Sequence, residues 1–255
     1  MEKAYLITQN TDLEKDFSEY DRLYIWDQYC EHNMFYFFND KKFLEKIKKL
    51  NKKITITTPI ISENWIMIFF DFLNYFLKNI DNKIEVVIND LWVFYKLKKD
   101  YPLIKIIWWN FLSWQNKDPY LKVFKDKKEH KNLTIDSIFY KDLFSKEKIW
   151  SIELYNVFQW INIDKNFNIN LYYPYVVYSI NRYCSNALIN QNIDYLKIIE
   201  KCKWCKNIEK NLEMELKIWE EDITQYYRWN KQFYKNEKLS KNKNMVRIIY
   251  NYDLI

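Results

Sequence analysis

KIEVVINDLWVFYKLKK, Lys83–Lys99, decides the fold. Its opening, Lys83–Ile88, is a short β-branched run of strand type. Asn89 and Asp90 end that strand, and a helix follows through Lys99. Pro102 then introduces a second strand-type run, Ile104–Trp108. Strand, helix and strand within about 25 residues make a βαβ unit, which implies parallel strands.

The same alternation extends in both directions. Upstream, RLYIW (Arg22–Trp26) reads as a strand, and Lys41–Leu50 as a helix with Phe43, Leu44, Ile47 and Leu50 on one face. KITITTPI (Lys53–Ile60) is the next strand, and a helix starts near Ser62, whose hydroxyl is a candidate cap, with Glu63 in its first turn. Downstream, regularity lapses between Ser113 and Lys148, with one helix near Ser137–Leu143. Strands return at WSIEL (Trp150–Leu154) and INLYYPYVVY (Ile169–Tyr178). A helix over Ile208–Glu220 and a closing strand over Met245–Tyr250 complete the pattern. Six or seven such strands predict a TIM-like (β/α) barrel, complete or partly open, with its working face at the strand C-termini. The chain reads as one domain: a barrel over about 22–180 and a cysteine-rich segment over about 181–255.

Composition adds an anomaly. The 255 residues contain no glycine and eleven tryptophans. Average usage of about 7% would supply roughly 18 glycines. Several tryptophans stand at punctuation points: Trp26, Trp92, the Trp108–Trp109 pair and Trp204. Scarce alanine, proline and arginine indicate AT-rich coding, which thins glycine but does not enrich tryptophan. The reading that follows is an internal UGA codon, glycine in the source organism and tryptophan here. Mass spectrometry of the native peptide spanning Trp92 is expected to show glycine; tryptophan there refutes the reading.

Net charge is +6, and hydrophobic residues make up 49% of the chain, as in soluble globular proteins. No apolar run is long enough to span a bilayer. A basic, then apolar leader is missing from MEKAYLITQNTDLEK, so a cytoplasmic location is expected. Lys122, Lys125, Lys127, Lys128 and Lys131 form a basic run broken by Asp126 and Glu129, which suits a solvated face better than a nucleic-acid patch.

The four cysteines carry the chemistry. Cys202 and Cys205 form a C-x-x-C pair, Cys184 follows a strand, and Cys30 lies four residues beyond the strand ending at Trp26. In a parallel barrel the ends of early and late strands share one rim, so these distant thiols can converge. Four thiolates at one point make a Cys₄ metal site, and unconnected buried thiols are the alternative reading. Disulfides are disfavoured without a secretory signal. One close pair plus two dispersed cysteines suits a 4Fe–4S cluster, with zinc as the alternative. Lys201 and Lys203 could offset cluster charge. Elsewhere, His32 and His130 are the only histidines, and no G-x-S-x-G, H-E-x-x-H or phosphate loop occurs. Asp90 and Glu153 are the candidate catalytic carboxylates; Asn89, Asn156 and Arg182 are candidate substrate-lining residues.

Seven stretches, YIWDQYCEH, ITITTPIISENW, VVINDLWVFYKLKKDYP, QNKDPY, SIELYNVFQW, YYPYVVYSINRYC and RWNKQFYKNE, span nearly the whole chain. Through them the sequence resembles the collagenase-like U-32 peptidase family in its short, single-barrel form. The resemblance implies a TIM-like barrel. It also implies glycine at Trp26, Trp65, Trp92, Trp160 and Trp229. It further implies that Cys30, Cys184, Cys202 and Cys205 are ligands of a 4Fe–4S cluster, as in relatives serving oxygen-independent ubiquinone or RNA hydroxylation. The partner implied is a second family-type subunit, with RNA as an alternative. The expected function is a cluster-bearing barrel enzyme supporting an oxygen-independent hydroxylation or related redox step. Peptide hydrolysis, or a metal-stabilised scaffold that binds RNA or protein, are the alternatives. The short form implies that the extra C-terminal domain of longer relatives is not expected, which argues against carrying over a collagenase or RNA substrate.

Overall fold

A computed structural model describes residues 1–8, 11–25, 28–31, 40–80, 84–109, 115–124, 131–133, 135, 137–149, 151–159, 161, 163–164, 166–180, 212–218, 221–228 and 231–254. The strands are β1 (Glu2–Ile7), β2 (Arg22–Ile25), β3 (Lys53–Thr57), β4 (Glu85–Ile88), β5 (Lys105–Trp108), β6 (Ser151–Tyr155), β7 (Asn168–Tyr173), β8 (Tyr175–Ile180), β9 (Leu212–Ile218), β10 (Glu221–Arg228), β11 (Lys231–Lys235) and β12 (Met245–Tyr250). The helices are α1 (Lys41–Leu50), α2 (Glu63–Asn79), α3 (Leu91–Asp100), α4 (Leu121–Phe124) and α5 (Ile138–Glu147).

Eight strands close into a barrel in the order β1-β12-β7-β6-β5-β4-β3-β2, and every neighbouring pair is parallel. The TIM-like expectation therefore holds in its closed form. The boundaries differ from those expected. β1 and β12 both belong to the barrel, so it begins at the chain's start and is completed by its end. The segment Ile169–Tyr178 is two strands, not one. Pro174, preceded by a cis peptide, separates β7 in the barrel from β8 in a second, antiparallel sheet ordered β8-β11-β10-β9. That sheet is an insertion between β7 and β12. The helix expected over Ile208–Glu220 is instead β9.

Period-two alternation sorts the barrel side chains. Ile54 and Ile56 of β3, Val86 and Ile88 of β4, and Ile152 and Leu154 of β6 face outward. They pack with Leu44, Ile47, Phe69, Leu73, Phe94 and Phe144 of the helices. The alternate residues turn inward, and many of those are polar: Thr55, Glu85, Glu153, Asn170 and Arg247 are all buried. A second apolar cluster joins the upper interior, including Leu6, Val87, Ile107 and Ile249, to Val176, Ile223, Phe233 and Tyr234 of the antiparallel sheet. The sheet thus lies over the C-terminal end of the barrel.

Helix ends show how the chain copes without glycine. Asn51 (φ 48°) and Lys148 (φ 55°) adopt the left-handed conformation after α1 and α5. For Lys148 this conformation costs about 1 kcal/mol or more relative to glycine. Among the described residues no tryptophan adopts it. Trp65 and Trp92 sit in the first turns of α2 and α3, the former buried and the latter 76% exposed. Neither position demands glycine's freedom. Trp26, Trp160, Trp204 and Trp229 lie outside the described residues. Ser62 precedes α2, but its side chain makes no capping bond. Its backbone N–H donates instead to Glu31 Oε2 at 2.7 Å, tying α2 to the loop after β2.

Candidate active site at the C-terminal mouth

The barrel interior is plugged at its lower end and polar in the middle. At the bottom, Glu2 and Glu85 alternate with Arg22 and Arg247. Arg247 Nε meets Glu2 at 2.5 Å and its Nη1 meets Glu85 at 2.8 Å. Arg22 reaches the same two carboxylates at 3.1 and 3.3 Å. Lys105 adds a contact of 2.7 Å to Glu85. Burial by itself would raise the Glu85 pKa. Arg247, then Arg22 and Lys105, overcome it and hold the group down at about 2.

One layer higher stands Glu153, fully buried. Burial pushes its pKa up to about 8, and Glu85 adds to the rise; Tyr172, Tyr24 and Arg247 offset only part of it. Glu153 is therefore mostly a neutral acid at pH 7. The Tyr172 hydroxyl lies 2.6 Å from its Oε2. Its Oε1 has no hydrogen-bond partner among the described residues, and neither does Nδ2 of Asn170, its register neighbour on β7. Atoms of Asn89, Trp108 and Tyr234 share that condition among the described residues, so the distinction of Glu153 lies in its burial and its place in the polar chain.

From Glu153 a chain of polar groups climbs to the mouth. Tyr172 also lies 2.8 Å from Gln28 Oε1, and Gln28 Nε2 reaches the hydroxyls of Tyr29 at 2.8 Å and Tyr155 at 3.4 Å. Gln28 is only 1% exposed. Tyr155 is gripped through its backbone by Gln115, which both donates and accepts at 2.8 Å. That grip sets the 115–120 loop against the end of β6. The Lys117 ammonium then lies 5.2 Å from the centre of the Tyr155 ring. Part of the Lys117 surface reaches solvent, yet its surroundings are dry enough that desolvation lowers its pKa to about 8. This loop, with Tyr178 of β8 and Gln225 of β10, walls a cleft of about 520 Å³. Lys231 is also buried, with its ammonium 4.6 Å from the Tyr29 ring centre.

The residues singled out from sequence fare unequally. Glu153 lies buried in the barrel interior and not at the mouth itself. Asp90 caps α3, its Oδ1 accepting from Trp92 N at 2.7 Å and Val93 N at 3.4 Å. No contact brings Asp90 to Glu153 among the described residues. Asn89 Nδ2 donates to the Thr58 backbone carbonyl, and the Asn89 backbone N–H donates to the Thr58 hydroxyl oxygen. Asn156 is a brace: its Nδ2 donates to the carbonyls of Asn236 and Lys238, and its Oδ1 accepts from Ser240 N. Cys30 is half-buried on the rim, directly after Gln28 and Tyr29. Arg182, Cys184, Cys202 and Cys205 fall outside the described residues, as do Lys125, Lys127, Lys128, His32 and His130. Among the described residues no group of three or more His, Cys, Asp or Glu side chains is placed to hold a metal. No described helix is long and apolar enough to cross a membrane.

Sequence reading missed Tyr24, Tyr172, Arg247 and Lys117. The first three share the inward parity of β2, β7 and β12, and counting alternate positions from Glu153 across the register finds them. Gln28 and Lys117 lie on loops, where no periodicity points to them. No family model matches the chain, and neither a curated protein nor a solved structure was found to be similar to it.

Proposed function

We propose that the protein is an enzyme of the U-32 peptidase-like kind that works at the C-terminal mouth of its barrel. In this reading Cys30, Cys184, Cys202 and Cys205 hold a 4Fe–4S cluster. The cluster supports an oxygen-independent hydroxylation or related redox step, beside a second family-type subunit. The observation that carries the reading is the place of Cys30. It stands on the rim of a closed parallel barrel, next to a polar chain that ends on a buried neutral acid. The described part of the donor set suits a thiolate ligand. Cys30 is partly open, and Tyr29 beside it carries the Lys231 ammonium over its ring. A bound cluster would supply one-electron transfer at a potential tuned by nearby hydrogen bonds and exposure.

The remaining work falls to side chains. The cleft beside Lys117 receives the substrate, and the Lys117 amine, with its lowered pKa, can hold an anionic group or accept a proton. Glu153 keeps a proton at neutral pH beneath Tyr172 and Gln28. Glu153 and Tyr172 are both fully buried, and that low-dielectric setting strengthens the bond between them.

Protein reconstituted anaerobically with iron and sulfide is expected to absorb broadly near about 400 nm. Cys30→Ser and Cys184→Ser should each lose that band and most of the iron. Colourless, iron-free wild-type protein overturns the reading. Zinc at one equivalent without activity would favour the scaffold alternative, and gelatin hydrolysis that survives loss of iron would favour the peptidase.

A further inference from the structure

Tyr172 owns a single hydroxyl hydrogen, yet two carbonyl-type oxygens lie within bonding distance of it: Glu153 Oε2 at 2.6 Å and Gln28 Oε1 at 2.8 Å. Two acceptors cannot share one hydrogen at those lengths, so one neighbour must itself be the donor. With Gln28 as oriented, that donor is a protonated Glu153. The chain then runs one way. Glu153 donates to Tyr172, Tyr172 donates to Gln28 Oε1, and Gln28 Nε2 donates to Tyr29 and Tyr155.

Turning the Gln28 amide over reverses every bond while the heavy atoms stay in place. Gln28 Nε2 now donates to Tyr172, Tyr172 donates to an ionised Glu153, and Gln28 Oε1 accepts from Tyr29 or Tyr155. Both arrangements satisfy the chain. Mixtures do not: an ionised Glu153 with the unturned amide leaves two acceptors facing one hydrogen. A protonated Glu153 with the turned amide either donates to Tyr172, setting two donors against one hydroxyl oxygen, or carries its proton on Oε1, where that buried donor has no partner among the described residues.

We infer that Gln28 is a two-position hydrogen-bond switch thrown by the proton on Glu153. It decides whether the Tyr29 and Tyr155 hydroxyls receive or give a hydrogen bond at the floor of the mouth. This inference concerns the protein groups alone and stands whether or not a cluster is bound.

The groups that set the proton's affinity come from four other strands of the barrel. Tyr172 on β7, Tyr24 on β2 and Arg247 on β12 favour the ionised form; Glu85 on β4 and burial oppose it. At the far end of the chain the charged neighbours are Lys231, over Tyr29, and Lys117, over Tyr155. Burial prevails in that balance, so the switch is expected to turn near pH 8.

The test is nuclear magnetic resonance of protein labelled with ¹⁵N-glutamine, the Gln28 side-chain amide being assigned by its loss in Gln28→Met. From about pH 6 to 10 the Gln28 N–H resonances of the wild type should move in one step. Glu153→Gln has no proton to lose at that position, so its Gln28 resonances should show no step over the same range. Tyr172→Phe cuts the chain, and the step should vanish there as well. A wild type without a step overturns the switch, as does a step that survives in Glu153→Gln. Should Glu153→Gln fail to fold, Tyr172→Phe decides alone: a surviving step there overturns it too.

Discussion

Glutamine in place of Glu153 should make the protein more stable at pH 9 and leave its stability nearly unchanged at pH 4. The folded protein holds the Glu153 proton up to about pH 8, whereas an unfolded chain releases it near the ordinary value of 4.5. Between those limits the folded state binds more protons than the unfolded one, so stability falls as pH rises. The loss is absent below about 4.5, grows through neutrality and is complete above 8. Glutamine has the same shape and no proton to lose, so its profile should be flat over that window. By the linkage relation the gap reaches a few kcal/mol at the alkaline end. Urea unfolding of both proteins at a series of pH values reads it directly. Curves that run parallel from pH 5 to 9 would show that Glu153 is ionised in the folded state. A side chain that lowers stability at working pH, where a glutamine would not, is the pattern of a functional group and not of a packing group.

The contrast between legible and illegible parts of the fold has a physical basis. β2, β3, β4 and β5 alternate with α1, α2 and α3 at short range, and each strand is bounded by its own stop signal, so local pattern sufficed. β1 was missed because a single strand at the chain's start has no preceding helix to give it context. The insertion failed for a different reason. Leu212, Met214, Leu216 and Ile218 alternate with charged residues, whereas Ile208, Leu212, Leu216 and Trp219 recur at helical spacing. Both periods fit the same letters, and pairing of β9 with β10 over Leu212–Ile218 selects the first. At Tyr173–Pro174 an unbroken run of strand formers changes sheets, because proline supplies no N–H to continue the ladder. The site follows the same logic. Glu153 was legible as a carboxylate within a strand, but its partners come from strands remote in sequence, and only closure of the barrel brings Tyr24, Tyr172 and Arg247 around it.

Closure also ties distant strands together through the lower plug. Arg247→Met is expected to lose about 3–5 kcal/mol, the range for removing one member of a buried ion network. Arg247 sits on the last barrel strand and binds Glu2 on β1 and Glu85 on β4, so one side chain links the seam to the far wall. Its removal leaves two carboxylates facing Arg22, with Lys105 and Lys53 at the edge. The effect should depend on acid. Glu85, held at about 2 in the folded state against an ordinary 4.5, contributes stability that is fully present above 4.5 and drains away as pH falls toward 2. Arg247→Met should therefore differ most from the wild type near neutrality, and the two should converge as the pH drops. Thermal unfolding between about pH 2 and 7 measures that convergence. A constant gap would mean that the arginine acts by filling space and not by charge. Glu85→Gln separates the two causes: it keeps the volume, so a flat acid profile in that variant assigns the wild-type slope to the Glu85 carboxylate.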